Sequence, residues 1–295
     1  MIRTSASDEG AELAREYIEY QKKKVSISNI VLMFGHLLLD MGEYVKSQKY
    51  FENILRSNPN DEDVACIYYN IARAHRLKSE YEHSLSNYVK AYKMHILARP
   101  QRLVSAAKAL NGIGIVYHEQ GDLELALKNF SDALKLYRKQ LTKNHTDIAG
   151  TLTNLANVYR HQQEFSKAIE LLQKALKINY KSLPSDHPSI AAVLNNMGNC
   201  YFEQADYEKA LDHYQRSLKI KEKALPADHP DIARTMGNIG MCYCSNGPDD
   251  YGLALESFER ALEICEKTLS QTHPLVKCFE QYVSDVKNEL VITRH

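Results

Sequence analysis

Asn195-Asn196-Met197-Gly198-Asn199-Cys200-Tyr201 is the stretch that decides the fold, because its parts recur along the chain. Tyrosines recur every 42 residues at Tyr117, Tyr159, Tyr201 and Tyr243. A small residue stands three positions before each of them, at Gly114, Ala156, Gly198 and Gly240. An alanine follows the first three tyrosines nine positions later, at Ala126, Ala168 and Ala210. Self-similarity at a fixed period of about 20–50 residues predicts a repeat protein.

Each repeat contains two segments of helical apolar period on either side of a short polar turn. Examples of the turn are Gly121-Asp122 and Ala205-Asp206. Two such segments joined by a short turn predict an antiparallel helix pair. Gly198 and Ala210 lie where the two helices of one pair would cross, and their small size allows a close approach. The predicted fold class is all-α.

The register divides the chain into six repeats between two capping segments. Residues 1–27 are predicted to form an N-terminal capping helix, and 271–295 a C-terminal capping helix with a tail. Such repeats bury their apolar faces only against their neighbours, so the ends of the array need caps. The predicted repeats span residues 28–61, 65–99, 103–143, 147–184, 189–226 and 231–270.

The pattern small-x-x-Tyr, turn, Ala-Leu-x-x-[Tyr/Phe]-x-x-[Ala/Ser] resembles the tetratricopeptide repeat. Where that family often has tryptophan, this chain has Leu110, Leu152, Leu194 and Met236. The resemblance implies a right-handed α-solenoid whose first helices line a concave groove, which binds peptides in many members. It therefore implies a protein-interaction scaffold rather than an enzyme.

Residues 103–285 are similar to the 42-residue repeats of kinesin light chains. The similarity is carried by Leu183-Pro-Ser-Asp-His-Pro188 and by Leu225-Pro-Ala-Asp-His-Pro230, with weaker copies at His145 and His273. This resemblance implies a cargo adaptor, and it leaves a kinesin heavy chain open as a partner. Light chains hold the heavy chain through an N-terminal heptad segment, which this sequence lacks.

Charge and hydropathy narrow the partners and the location. Lys+Arg and Asp+Glu both number 37, so a formal net charge of zero favours neither nucleic acid nor a membrane surface. The longest apolar run, residues 30–39, is far shorter than the roughly 18 residues that span a bilayer. No secretory signal and no Cys-x-x-Cys pair is found, which predicts reduced thiols and a cytoplasmic protein.

Regularly spaced histidines raise the question of a metal site. Equivalent positions of neighbouring repeats lie about 8–10 Å or more apart, whereas zinc ligands converge within about 2.1 Å of one ion. His187-Pro188 and His229-Pro230 are therefore interpreted as helix starts. The sequence contains no phosphate loop and no nucleophile motif, so no catalytic residue, metal or cofactor is predicted.

The asparagines of the first helices are candidates for peptide contact, because an amide both donates and accepts hydrogen bonds. One equivalent position carries Asn70, Asn154, Asn196 and Asn238. At that position, bonding to an extended peptide and bonding to a neighbouring helix are equally open. Three residues further on, Asn157 and Asn199 are predicted to contact a ligand, since other repeats have Arg73, Ile115 and Met241 there.

The same register places more polar residues on the predicted groove face. Its basic residues outnumber the acidic Asp40, Glu119 and Glu203, which predicts an extended acidic segment as the ligand. Tyr69 and Phe202 are candidates for holding an apolar anchor. The four spaced tyrosines are predicted to be core. The predicted peptide-binding residues are Arg73, Arg76, Lys108, Asn111, Asn154, Asn157, Arg160, His161, Asn196, Asn199 and Arg234.

Two other functions stay open from the sequence. The chain could be a regulatory or assembly module of a larger enzyme or receptor, since such repeats are also found beside ADP-ribosyltransferase domains. It could also associate with itself by stacking end to end.

Overall fold

The computed structural model describes residues 30–57 and 61–292, so the predicted cap over residues 1–27 lies outside the described residues. The described residues form thirteen α-helices and no strand. None of these helices is both long and apolar enough to cross a membrane. The helices are α1 Ile30–Asp40, α2 Tyr44–Arg56, α3 Asp61–Leu77, α4 Tyr81–Leu97, α5 Leu103–Glu119, α6 Leu123–Gln140, α7 Thr146–His161, α8 Phe165–Ser182, α9 Pro188–Glu203, α10 Tyr207–Ala224, α11 Pro230–Asn246, α12 Tyr251–Thr268 and α13 Pro274–Ile292.

The chain divides into two compact units, which meet in sequence between Gln120 and Gly121. In the first unit, α1 to α5 pack in chain order, and α3 also contacts α1 and α5. In the second unit, α6 to α13 pack in the same way, and α7 also contacts α9. These stacked helix hairpins confirm the predicted all-α solenoid class. The exact repeat boundaries stay a prediction.

The turns inside the hairpins share one backbone conformation. The second residue after the first helix has a positive φ, at Gly42 (78°), Ser79 (59°), Gly121 (83°), Gln163 (61°) and Ala205 (60°). A left-handed residue of this kind ends a helix by turning the chain out of it. Only two of the five are glycine, so three turns hold a side chain in a conformation that L-residues disfavour.

Glycines of the first helices make room for aromatic rings of the second helices. A Cβ on Gly198 would lie 2.5 Å from the ring of Tyr214. A Cβ on Gly240 would lie 2.7 Å from Phe258, and one on Gly35 would lie 2.2 Å from Phe51. The absence of a side chain therefore sets how closely the two helices approach, as predicted for Gly198.

The prediction that the four spaced tyrosines are core is wrong. Tyr117, Tyr159, Tyr201 and Tyr243 are all half-buried, whereas Tyr214 is 2% exposed. The space beside the small residue is filled by a ring from the opposite helix, so the tyrosine three positions later on the same helix lies at the edge of the crossing. Two of them, Tyr201 and Tyr243, pack against the cluster formed by Ala210, Tyr214, Ile239 and Cys242.

The histidines before the first helices start those helices, as predicted for the His-Pro pairs. Pro188 and Pro230 occupy the first turns of α9 and α11. The imidazole itself is the cap: Nδ1 of His187 accepts a 3.1 Å hydrogen bond from the backbone N–H of Ser189. His145, His229 and His273 make the same contact at 3.1 Å with Asp147, Asp231 and Leu275.

Candidate peptide-binding face

In the second unit, four helices line a cleft of about 460 Å³, which we call the amide cleft. Three of them are α9, α11 and α13, each of which follows one of the capping histidines, and the fourth is α10, which contributes Lys221. Asn196 and Asn195 line the cleft from α9, Arg234 and Asn238 from α11, and Tyr282 from α13. The fold thus brings together two of the predicted binding residues, Asn196 and Arg234, together with the equivalent of Asn196 in the next repeat.

Charged groups in the wall of the amide cleft are joined by hydrogen bonds. The Lys221 ammonium donates to the Thr235 hydroxyl at 2.8 Å and to the backbone carbonyl of Asp231 at 3.2 Å. Burial lowers the pKa of Lys221, while the Asp231 carboxylate acts in the opposite direction. This lysine is therefore a fixed donor in the wall, and its stem is covered by the protein.

Arg234 and Asp231 form an ion pair one turn apart on α11. Burial would raise the pKa of Asp231, but the hydrogen bond and charge of Arg234 and the charge of Lys221 outweigh it and lower the pKa. The Arg234 side chain is 61% exposed, so it faces solvent at the mouth of the cleft. With two cations and one anion among its lining residues, the amide cleft carries a net positive charge.

Apolar side chains also line the amide cleft. It is lined by Met241 from α11 and by Leu275, Phe279 and Tyr282 from α13. Phe279 packs directly on Gly237, where a Cβ would lie 2.5 Å from its ring. A ligand in this cleft would therefore meet apolar side chains beside amides and cations, the combination found in many binding pockets.

The asparagines at the first equivalent position have different environments. In the first unit, Asn70 is buried and its amide donates to the Cys66 carbonyl at 2.9 Å. In the second unit, Asn154 and Asn196 are half-buried. Asn238 donates to the Asn195 oxygen of α9 at 3.5 Å, so it bonds across to the neighbouring helix. Within the described residues, the Asn196 amide has no hydrogen-bonding partner.

The two asparagines at the second equivalent position also differ. The oxygen of Asn199 accepts a 2.7 Å hydrogen bond from the hydroxyl of Tyr214. Forty-two residues before Tyr214 stands Leu172, which has no hydroxyl. Asn157 is half-buried, and its amide has no hydrogen-bonding partner among the residues that the structure describes. Of the predicted asparagines in the described part of the second unit, Asn157 and Asn196 thus have amides with no partner in the protein.

Several of the predicted basic residues are engaged with other side chains. In the first unit, Arg76 on α3 pairs with Glu119 on α5 at 2.5 Å. In the second unit, Arg160 on α7 pairs with Glu203 on α9, and its guanidinium also contacts His161. Burial and the charge of Arg160 lower the pKa of His161. Both arginine pairs join the first helices of neighbouring repeats, so they also stabilise the stacking.

The remaining predicted residues of the first unit lie on α3 and α5. The Arg73 guanidinium is 3.0 Å from Nδ1 of His36. Asn111 is half-buried and Lys108 is exposed. Of the two proposed apolar anchors, Tyr69 packs edge-on against Tyr88, with ring centroids 5.3 Å apart. In the second unit, Phe202 packs against Tyr207 at 5.6 Å.

Sequence reasoning did not place α13 in the site. It interpreted this segment only as a cap, although Leu275, Cys278 and Tyr282 line the amide cleft. The signal was present in His273-Pro274, a copy of the motif that precedes α9 and α11. Because α13 begins with the same motif as the first helices α9 and α11, it occupies the position of a first helix. One of its faces therefore lines the cleft.

Comparison with known proteins identifies the family. A sequence profile of the tetratricopeptide repeat matches residues 105–181 and 189–267, and a second profile of that repeat matches residues 29–61. The chain therefore belongs to the tetratricopeptide repeat family, whose fold is typical of protein-interaction modules and generally lacks catalysis. No curated protein sequence matches the chain.

Solved structures with the same fold include BtubC and a putative kinesin light chain. BtubC (BKLC) from P. vanneervenii has a TM-score of 0.62 and 19% identity, over 79% of this chain and 92% of that one. A putative kinesin light chain with nearly identical repeats from Podosopora anserina has a TM-score of 0.55 and 19% identity, over 72% and 99%. The apo form of RapI has a TM-score of 0.61 and 15% identity, over 90% and 98%. At these identities the likeness concerns the fold.

Proposed function

We propose that this chain is a non-catalytic scaffold that binds an extended acidic segment of a partner protein on the face carried by its first helices. The observation that carries the proposal is the amide cleft, where the unpartnered amide of Asn196 lies with Arg234 and an apolar wall. Asn196 would bond the peptide backbone, Arg234 would attract a carboxylate, and Met241 and Tyr282 would hold an apolar side chain.

The net charge of the cleft supports an acidic ligand over a basic one. Lys221 and Arg234 line the cleft against the single carboxylate of Asp231. A peptide carboxylate could exchange places with Asp231 at the exposed guanidinium of Arg234, whereas a peptide lysine would meet two like charges. Asn157, on the neighbouring first helix α7, would extend the same mode of backbone recognition.

The particular role that we propose is a cargo adaptor similar to a kinesin light chain. The support is the 42-residue period with its Asp-His-Pro linkers, together with the shared fold of BtubC (BKLC) and the Podosopora anserina repeats. In this role a cytoplasmic cargo protein supplies the acidic segment, and a kinesin heavy chain is the proposed second partner.

The test is a comparison of captured partners. The intact chain, the double variant Asn196→Ala/Arg234→Ala and a control Lys219→Ala/Lys223→Ala are each incubated with native lysate. The two control lysines are exposed on α10 and do not line the amide cleft. Captured proteins are identified by mass spectrometry, and peptides that tile them are then titrated against all three chains.

We expect an acidic peptide that binds the intact chain and the control equally and the double variant at least tenfold more weakly. Equal binding of that peptide to all three chains would refute the amide cleft as its site. Circular dichroism and thermal melting of each variant separate a loss of contact from a loss of fold.

A further inference from the structure

A second cleft in the second unit is lined by cations, and we call it the basic cleft. It has a volume of about 450 Å³ and lies among the C-terminal part of α6, the N-terminal part of α7 and the C-terminal half of α8. It shares no lining residue with the amide cleft. Every charged residue that lines it is basic, namely Arg138, Lys143, Lys174, Lys177 and Lys181.

The floor of the basic cleft is apolar. Ile148 and Leu152 of α7 contribute to it and are each only 4% exposed. Leu141 and Ile178 add apolar surface from the end of α6 and from α8. Cations around an apolar floor form an amphipathic site, which fits a ligand that carries both negative charge and an apolar group.

Most of these cations have no ionic partner in the protein. Lys174 contacts Glu170, one turn back on the same exposed helix face, at 2.5 Å. Among the described residues, Arg138, Lys143, Lys177 and Lys181 make no ion pair. Like charges gathered around one cleft repel one another, so their arrangement favours an anion that enters the space between them.

The repeats themselves show what this position holds elsewhere. Two repeats further on, the counterparts of Arg138 and Lys174 are Glu222 and Arg260, which form an ion pair at 2.9 Å. One repeat further on, the counterparts are Tyr180 and Arg216, whose side chains also interact. At the basic cleft, the neutral or negative member of the pair is replaced by a second cation. The junction between α6 and α8 is therefore the one of these three where the complementary group is missing.

Helix dipoles explain only part of this charge. Arg138 lies in the last turn of α6 and Lys181 in the last turn of α8, where cations are favoured. Lys143 lies in the loop between α6 and α7, and Lys177 lies more than one turn before the end of α8. The helix dipoles therefore do not explain why Lys143 and Lys177 lie at the same cleft.

We propose that the basic cleft is a second docking site, which binds an acidic peptide segment with one apolar side chain between its carboxylates. The carboxylates would take the place that Glu222 holds at the later junction, and the apolar side chain would cover Ile148 and Leu152. The apolar floor favours a peptide over a nucleic acid backbone, whose phosphates need an extended polar surface. The site adds a contact between the second helices α6 and α8, with a floor from α7, to the one proposed on the first helices.

Charge reversal at Arg138 tests the proposal, because Arg138→Glu would place a glutamate opposite Lys174, as Glu222 lies opposite Arg260. The probe is a fluorescein-labelled peptide with one leucine flanked by two glutamates on each side. Its binding is measured by fluorescence polarisation at low salt. We expect saturable binding to the intact chain, at least tenfold weaker binding to Arg138→Glu, and binding within twofold of the intact chain for Lys139→Glu. Lys139 makes the same charge change one residue away and does not line the cleft.

Two further measurements complete the test. Lys177→Gln removes one cation without creating a pair, and we expect it to weaken peptide binding about threefold. Arg138→Glu should melt at a temperature no lower than Lys139→Glu, since both place an anion in the last turn of α6 and only Arg138→Glu gains an ion pair with Lys174. The proposal would be overturned if Arg138→Glu and Lys139→Glu weakened peptide binding equally. It would also be overturned if the intact chain bound oligo-dT more tightly than the peptide and Arg138→Glu weakened that oligo-dT binding. The amide cleft is intact in all these variants, so failure here leaves the proposal for that cleft standing.

Discussion

The hydroxyl of Tyr214 donates a 2.7 Å hydrogen bond to the amide oxygen of Asn199, which joins the two helices of one hairpin. Tyr214 is 2% exposed, and burial strongly raises its pKa, so the hydroxyl stays protonated and remains a donor. The bond holds the side chain of Asn199 on α9 in one orientation, from the second helix α10. Asn199 is therefore oriented by its own repeat, while Asn157 is not.

Tyr214→Phe removes this bond and leaves the packing in place. We expect the free energy of unfolding to fall by about 1 kcal/mol, the usual net value of a buried hydrogen bond. Urea denaturation followed by circular dichroism measures it. The control is Tyr159→Phe, because among the described residues the Tyr159 hydroxyl has no hydrogen-bonding partner. Losses of equal size in the two variants would contradict a role for the Asn199 bond.

Gly198→Ala tests the close approach of the same two helices. The new Cβ would lie 2.5 Å from the Tyr214 ring, which is itself buried and cannot move away freely. Overpacking of this kind costs about 1–3 kcal/mol, and we expect a loss of stability in that range. Gly150→Ala on α7 is the matched control, since nothing lies within 4 Å of its Cβ position. There the higher helix propensity of alanine should stabilise by up to about 1 kcal/mol.

The fold could be predicted because the small residues at the helix crossings and the polar residues of the turns recur in the sequence of each repeat. Gly198 marks the crossing in the sequence, and Ala205-Asp206 marks the turn. The occupant of the crossing could not be predicted as easily. Tyr201 shares a helix with Gly198, but the ring in the gap belongs to Tyr214 on the opposite helix, and only the packed structure distinguishes the two.

The sequence predicted which residues lie on the candidate face, but not which of them pair with one another. The register identified Arg160 as a residue of the first-helix face, but it did not show that Glu203 lies against it on the next repeat. The two residues are 43 positions apart, and so are Arg76 and Glu119. Counting charges therefore overestimated the cations available to a ligand, because ion pairs between repeats depend on which side chains meet in space.

The left-handed turn residues predict opposite effects for opposite substitutions. Ala205 has a φ of 60°, a conformation that costs an L-residue about 1–2 kcal/mol. Ala205→Gly relieves this cost but adds flexibility to the unfolded chain, so we expect a net gain of about 0.5 kcal/mol. Gly121, with a φ of 83°, has nothing within 4 Å of its Cβ position, so Gly121→Ala tests conformation alone. The free energy of unfolding of Gly121→Ala, measured by urea denaturation, should fall by about 1 kcal/mol. If both substitutions changed the free energy of unfolding in the same direction, the left-handed conformation would not be its cause.

His95 predicts how stability depends on pH. Its side chain is 3% exposed on α4, and burial together with the charge of Arg102 lowers its pKa from 6.5 to about 4. The folded protein therefore keeps this imidazole neutral while the unfolded chain takes up a proton below about pH 6.5, so the stability is full above that pH and falls as the pH drops toward 4. At about 1.4 kcal/mol per pKa unit, the contribution lost is about 3 kcal/mol. His95→Leu removes the titrating group, and urea denaturation at pH 7.5 and pH 4.5 should show a smaller acid loss in the variant than in the intact chain. The same acid loss in both would show that His95 takes up its proton without cost in the folded state.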